Sequence, residues 1–290
     1  MSKFAYYPGC TLEQLAQEYD ESARLVGKFL GLEFTELPDW SCCGATPSHH
    51  KNYLLSLALA ARNLILTEEK GLDLVAPCPA CSNRFKTAHH DLISDFDLLK
   101  KLRQKFDLNY RGEIGIFSLL EVISNLPFDL IREKIVRPLD RLRVVPYYGC
   151  FLVRPPEVSR FDDPENPTSL DNLMELIGAQ VVPWEYKTEC CGGVLGITNN
   201  QVISKLSGDI LETAQKAGAQ AIVVACPLCH QNLDLKQDVA RSGRNLKPMP
   251  VFYFTQLIGL AFGINPKDLG IPKHTVNPMR LTNSLIGARS

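Results

Sequence analysis

Thiols are the residues whose number and spacing can do chemistry here, and they come as two copies of one pattern. Cys10, the adjacent pair Cys42 and Cys43, and Cys78 with Cys81 form the first copy. Cys150, the pair Cys190 and Cys191, and Cys226 with Cys229 form the second. In each copy 34 residues separate the adjacent pair from the closing C-x-x-C, and a glycine follows the pair, Gly44 or Gly192. Between the lead cysteine and the pair lie 31 residues in the first copy and 39 in the second. All 10 cysteines belong to the pattern. Two equal sets of five thiolates predict two inorganic sites.

Zinc is the first rival, but a structural zinc takes four ligands in a tetrahedron and strands the fifth thiol of each set. A dithiol relay accounts for a C-x-x-C and leaves three further cysteines in register unexplained. A disulfide framework belongs to small secreted domains, and a ring closed across one peptide bond is strained. Iron–sulfur chemistry fits best, because thiolates hold such clusters, commonly four to a cubane. A fifth thiolate points to an unusual cluster, or to a cubane with a spare or bridging ligand. Gly44 and Gly192 let the backbone approach an inorganic core. Pro79 and Pro227 stiffen the closing motifs, and each removes one N–H near the thiolates. Composition and spacing stop at two iron–sulfur sites, purpose open.

The elements that must position these thiols repeat as well. Phe4 to Tyr7 reads as a short strand running into Cys10. Apolar spacing from Leu12 to Leu30 predicts a helix closed by Gly31. Leu32 to Leu37 reads as extended, Tyr53 to Lys70 as a helix stopped by Gly71, and Leu72 to Ala76 as a buried strand delivering Cys78. A further helix is predicted near Ser82. The second half follows in step: a strand from Val144 into Cys150, a helix from Leu170 to Leu176, and an extended run from Gln180 to Trp184. A helix through Ile203 to Ala217 and a strand from Ala221 to Ala225 complete it. The offset between halves is 140 residues at the lead cysteine and 148 at the later ones, which places an irregular insertion at Arg154 to Pro167.

Strands alternating with helices predict an α/β fold of two pseudo-repeated domains, each a small, mostly parallel sheet flanked by helices. The thiols then sit at the carboxyl ends of the strands, where open α/β sheets place ligands. The domains are read as residues 1–140, including connecting helices over 92–139, then 141–270, then a poorly packed tail over 271–290. The segment from Val251 to Phe262 reads as a terminal strand and helix in the core.

Hydrophobic content of 45% suffices for a core in each half, and a formal charge of −1 offers no field to nucleic acid or an anionic membrane. The first residues lack the apolar core of a signal peptide, and no run of about 18 apolar residues exists to span a bilayer. The expectation is a cytoplasmic protein, whose reducing surroundings favour metal or redox roles for its thiols.

With these motifs the chain resembles the double CCG-domain family, and within it the B subunit of heterodisulfide reductases. The likeness runs from Tyr7-Pro8-Gly9-Cys10 to Cys226-Pro227-Leu228-Cys229-His230. It implies one noncubane [4Fe-4S] cluster in each half, held by Cys10, Cys42, Cys43, Cys78 and Cys81, and by Cys150, Cys190, Cys191, Cys226 and Cys229. One thiolate of each set would bridge. It implies an oxidoreductase acting on sulfur groups, which cleaves a small disulfide between the clusters or runs the reverse thiol oxidation. Partners are implied too: a C-type ferredoxin-like iron–sulfur subunit as donor, fed by a flavin-bearing A-type subunit. The chain itself has no ferredoxin-type cysteine run and no dinucleotide fingerprint. A second reading is an electron-transfer or quinone-linked subunit of a succinate, lactate or glycolate dehydrogenase complex, with no disulfide substrate. A basic, open cleft between the halves would favour the first, and an exposed apolar helix near a cluster the second.

Other residues carry two readings each. His230, beside Cys229, is a proton donor or a plain helix-start residue. His49 and His50 face a substrate or simply follow the first loop. Lys187 and Arg84 offset negative charge or lie solvated, and solvent is the expectation for both, as for His89 and His90. Trp40 and Trp184 shield a cluster or fill core. Tyr6-Tyr7 and Tyr147-Tyr148 are read as strand packing.

Overall fold

The computed structural model describes residues 2–45 and 52–287, so His49 and His50 lie outside the described residues. The first half begins with β1 (Ser2–Tyr6), then two helices, α1 (Gly9–Gln14) and α2 (Gln17–Phe29), where apolar spacing predicted one. The break falls where the Leu15 and Ala16 N–H groups both bond the Thr11 carbonyl, and Ala16 leaves the helical region at φ −138°. β2 (Leu32–Glu36) follows, then α3 (Tyr53–Lys70), whose Asn52 side chain accepts from Leu55 N–H and whose Gly71 closes it left-handed at φ 63°. β3 (Asp73–Ala76) leads into α4 (Pro79–Ser94), with proline at the first helical position, where its missing N–H costs nothing.

β4 (Ile116–Ser118) corrects the expectation of helices throughout 92–139. Three residues are too few to show a period of two, so only the sheet reveals the strand. The second half supplies β5 (Arg143–Tyr147), β6 (Gln180–Val181), β7 (Ala221–Val224) and β8 (Val251–Tyr253), then α5 (Phe254–Ala261). The sheets run β2-β1-β3-β4 and β6-β5-β7-β8, and every pairing is parallel. Central strands read as apolar runs because helices cover both faces; all four residues of β7 are buried.

The halves meet along one seam. There α2 packs on α5, the Ser22 and Thr255 hydroxyls lie 2.7 Å apart, and Tyr19 stacks on Tyr253 with ring centroids at 4.2 Å. The Tyr19 hydroxyl donates to the Ala225 carbonyl at 3.0 Å and reaches the Pro77 carbonyl at 3.4 Å. One phenol therefore ties the ends of β3 and β7, each just ahead of a C-x-x-C.

The tail is better packed than expected. Ile271, His274, Thr282 and Leu285 are buried, and Lys273 pairs with Glu21 of the first half at 2.5 Å. Among the described residues no helix is long and apolar enough to cross a membrane.

Candidate metal centre: two adjoining sets of thiols

Each set of thiols is assembled by three strand ends. Just beyond β1 and at the end of β5 stand matching tyrosines. Tyr7 donates to the Ser41 carbonyl at 2.8 Å, and Tyr147 to the Glu189 carbonyl at 2.6 Å. Each bonds the residue before its adjacent cysteine pair, so these tyrosines pin the Cys-Cys-Gly loop to the sheet as well as packing. Gly9 and Gly149 precede the lead cysteines at φ 70° and 66°. A Cβ on Gly149 would stand 3.1 Å from Cys229 Sγ, and one on Gly9 would stand 3.5 Å from Cys81 Sγ. Glycine is required because the chain passes against a thiol there in a left-handed turn.

The closing motifs sit on helix starts. Cys78 and Cys226 occupy the positions before Pro79 and Pro227, at helix starts. Backbone N–H groups of Cys81 and Ala80 favour the thiolate at Cys78, while Cys78 and burial, against Cys229, push Cys226 up. Cys43 and Cys81 sulfurs are 3.1 Å apart, and Cys191 and Cys229 sulfurs 3.6 Å. Backbone N–H groups point at the pair: Gly44 to Cys42 at 3.5 Å, Gly192 to Cys190 at 3.3 Å, Gly193 to Cys191 at 3.4 Å. Cys10 and Cys190 are exposed and Cys42 and Cys150 half-buried, while the other six are buried.

Protons are shared within and between the sets. The neighbouring Cys10 and Cys43 bring Cys42 down to about 2, and Cys42 with burial pushes Cys10 up. Cys150 does the same for Cys190, lowering it to about 6. Cys78 is held well below the ordinary thiol range, first by a hydrogen bond from Cys226 in the other half and then by one from Cys81. Tyr19 bonds the carbonyls just ahead of Cys78 and Cys226, so the two sets adjoin across the seam. All ten thiols are free, and this donor set of soft sulfurs, glycine-walled and fed by N–H donors, fits iron–sulfur binding.

The other predicted residues fall elsewhere. His230 is buried, its Nε2 on the Val251 carbonyl at 3.2 Å and its ring stacked on Tyr253 at 4.3 Å. It lines a separate cavity of about 210 Å³ with Asp234 and His274, on the tail side of the second helix start. Lys187 is paired with Asp171 at 2.8 Å and donates to the Pro167 carbonyl, so it is not solvated. Arg84 is buried as well. His89 bonds the Tyr110 hydroxyl at 2.6 Å, and both His89 and His90 are half-buried, not open to solvent. Trp184 is core, donating to the Pro146 carbonyl, and Trp40 packs edge-on to Tyr7. Sequence reasoning passed over Asn232, whose amide reaches Cys191 Sγ at 3.5 Å and the Gly193 carbonyl at 3.0 Å. Its signal was there: it stands three residues after Cys229, as Arg84 does after Cys81.

The cavity behind His230 makes a pH prediction. Burial raises the Asp234 carboxyl to about 6, although N–H bonds from Thr275 and Val276 pull it down. Burial also lowers His274 to about 4. A raised carboxyl holds its proton more tightly in the folded state, so its contribution is present below the unfolded value of about 3.9 and is lost as pH rises to about 6. The lowered histidine works the other way, gaining stability over nearly the same range. Asp234→Asn removes the first effect and leaves the second. Urea midpoints should show the variant gaining on the parent between about pH 4 and 6, by up to about 3 kcal/mol. A difference that stays flat over that range would count against a buried, neutral carboxyl.

Comparison with known proteins agrees with the repeat. The CCG cysteine-rich domain matches residues 4–86 and again 144–234. The chain is 34% identical over 281 residues to the 8-methylmenaquinol:fumarate reductase membrane anchor subunit of Wolinella succinogenes, covering 96% of this chain and 99% of that one. It is 30% identical to the B subunit of the ferredoxin:CoB-CoM heterodisulfide reductase of Methanosarcina mazei, over 95% of this chain and 94% of the relative. Among solved structures, a hypothetical protein from Helicobacter pylori superposes with a TM-score of 0.77 at 16% identity. The match covers 95% of this chain but only 52% of that one, and shows a shared fold. With two complete copies of the motif, each closed by a C-x-x-C on a helix start, this chain belongs to the CCG cysteine-rich domain family.

Proposed function

We propose that the chain is the iron–sulfur subunit of a multi-subunit reductase and that it cleaves a small disulfide, or forms one in reverse. Each domain, residues 1–140 and 141–270, would hold one noncubane [4Fe-4S] cluster on its five cysteines. Bound clusters would supply one-electron steps at two neighbouring places. The observation that carries this reading is the Tyr19 hydroxyl reaching both the Pro77 and the Ala225 carbonyls, the residues just ahead of Cys78 and Cys226, which brings the two thiol groups close to each other. A disulfide takes up two electrons and two protons and leaves as two thiols, so adjoining one-electron sites suit it. The chain's own part is to bury six of the thiols from water while Cys10 and Cys190 leave an outer edge open. Electrons would come from a C-type ferredoxin-like subunit, itself served by a flavin-bearing A-type subunit. Similarity to the B subunits of heterodisulfide reductases supports this assignment.

A second reading has its own observations. Phe151, which lines a pocket with Cys150, Cys191 and Cys226, is 42% exposed, and Leu195 and Ile197, a few residues after the second pair, are 61% and 48% exposed. Lys187 is tied up by Asp171, so it lends no open positive charge to a substrate cleft. Apolar edges beside the thiols suit electron transfer to a docked partner without any disulfide, and the relative at 34% identity is named a membrane anchor. The deciding experiment is iron and acid-labile sulfide content with EPR, on anaerobically purified protein before and after adding thiols or disulfides. About eight irons per chain and a new signal with thiol supports disulfide chemistry. The same iron without a thiol-dependent signal supports the second reading, and zinc in place of iron overturns both.

A further inference from the structure

We infer that Arg84 is the counter-charge of the first iron–sulfur site, and that the second site, with Asn232 in the same place, sits at the lower reduction potential. The inference rests on the iron–sulfur reading above. Arg84 is only 9% exposed, and its Nε and Nη2 are buried with no hydrogen-bond partner. A guanidinium does not shed its proton to escape such a place. Tyr53 engages the guanidinium, but leaving Nε and Nη2 unpaired in a dry interior is costly, so an anion is missing on that side.

What faces it is specific. On α4, Arg84 lies one turn beyond Cys81, on the same side of the helix. Its charge acts on Cys43, and the Tyr53 ring lies 5.7 Å from the guanidinium carbon. Asp91, which accepts the Tyr53 hydroxyl, is the carboxylate that acts on it most strongly. None of the described carboxylates bonds the two free N–H groups. A negatively charged cluster on Cys43 and Cys81 is the anion that would.

The second half treats the same position differently. Asn232 is neutral and satisfied, bonding the Cys191 carbonyl at 3.3 Å, the Gly193 carbonyl at 3.0 Å and Cys191 Sγ at 3.5 Å. Cys191 is the counterpart of Cys43. One site thus has a full positive charge beside the second cysteine of its pair, and the other an amide dipole. Net charge and hydrogen bonds to sulfur are what set cluster potentials within one ligand type. A cation stabilises the more negative, reduced state, so the first site is the easier to reduce, and an electron in the chain settles there. Arg84 acts as a positioning residue for charge and not as a ligand.

The test is a redox titration followed by EPR on the whole chain, prepared anaerobically with its iron counted and with no thiol or disulfide present. That condition separates a cluster counter-charge from a binding group for an anionic substrate. The parent should show two midpoints. Arg84→Gln should lower the higher one by at least tenfold in the reduction equilibrium, about 59 mV for one electron, and leave the other in place. Arg84→Lys should restore most of the shift, because it returns the charge without the fork. Full iron with both midpoints unmoved in Arg84→Gln overturns the inference, as does an equal fall in the Gln and Lys variants. If Arg84→Gln sheds its iron, Arg84→Lys decides alone: a midpoint near the parent's supports the charge, and a tenfold fall overturns it. A parent chain without redox-active iron sinks the iron–sulfur reading itself, a result distinct from full iron that ignores Arg84.

Discussion

Under the two-cluster proposal, Gly149→Val should empty the second site while the first stays loaded, halving the iron from about eight to about four per chain. Two costs coincide at this residue. Its φ of 66° is a region where a side chain costs about 1–2 kcal/mol, and more when β-branched. A Cβ there would also press to 3.1 Å from Cys229 Sγ, one of the five donors. Valine cannot relieve the backbone strain without carrying the turn, and Cys150 with it, away from the set. Gly149→Ala should give an intermediate loss, since its single carbon asks the sulfur to give way by only a few tenths of an ångström. Gly9→Val should mirror the effect at the first site, where the Tyr7 ring stands 2.9 Å from the added carbon. Iron and sulfide analysis of the three variants reads the result directly. Full iron in Gly149→Val would falsify the claim that this turn is part of the cradle.

Tyr19→Ala should be the most destabilising change outside the thiols, at about 3–5 kcal/mol. Its ring is fully buried and stacked on Tyr253, with interplanar angle 2°, so truncation opens a cavity in the seam. Its hydroxyl holds the Ala225 carbonyl, which Tyr19→Phe would leave buried and unpaired at a cost of about 1–3 kcal/mol. Urea unfolding of the whole chain compares the two. A loss below about 1 kcal/mol in Tyr19→Ala would mean that the halves do not depend on this contact. Because the phenol stands ahead of both C-x-x-C motifs, the alanine variant should also broaden the EPR signals of both sites, unlike Gly149→Val.

Much of this was legible in the residues. The repeat of Cys-Cys-Gly and C-x-x-C announced two repeated domains with matching sets of thiols, and helix α3 from Tyr53 to Lys70 follows from its Leu and Ala spacing and its Gly71 stop. Parallel sheets follow from strands alternating with helices. What escaped has physical causes. β4 is too short for a pattern, and it is a strand only because β3 lies beside it. The break at Leu15 and Ala16 keeps helical composition on both sides, so no residue there advertises it. Lys187 and Arg84 were read as solvated because charged side chains usually are. Lys187 is held by Asp171, 16 residues back in the chain, and Arg84 is buried by packing beside the thiol site, which its spacing from Cys81 alone does not reveal. His230 adjoins Cys229 in the chain, yet the first helical turn points its ring to the opposite side, toward Tyr253 and the tail. Adjacency along the chain is a poor guide at a helix start.

The hydroxyl of Tyr19 finds its acceptor on Ala225, 206 residues further along, and Ser22 meets Thr255 across 233. Synthesis at about 5–20 residues per second puts roughly 10 to 40 s between the appearance of α2 and that of its partner. Throughout that interval the apolar side of α2 has nothing to lie against, and the first five thiols are made but not yet roofed. The seam of the first half can close only once Tyr253 and Thr255 have been made, so its packing is completed after the second half has emerged.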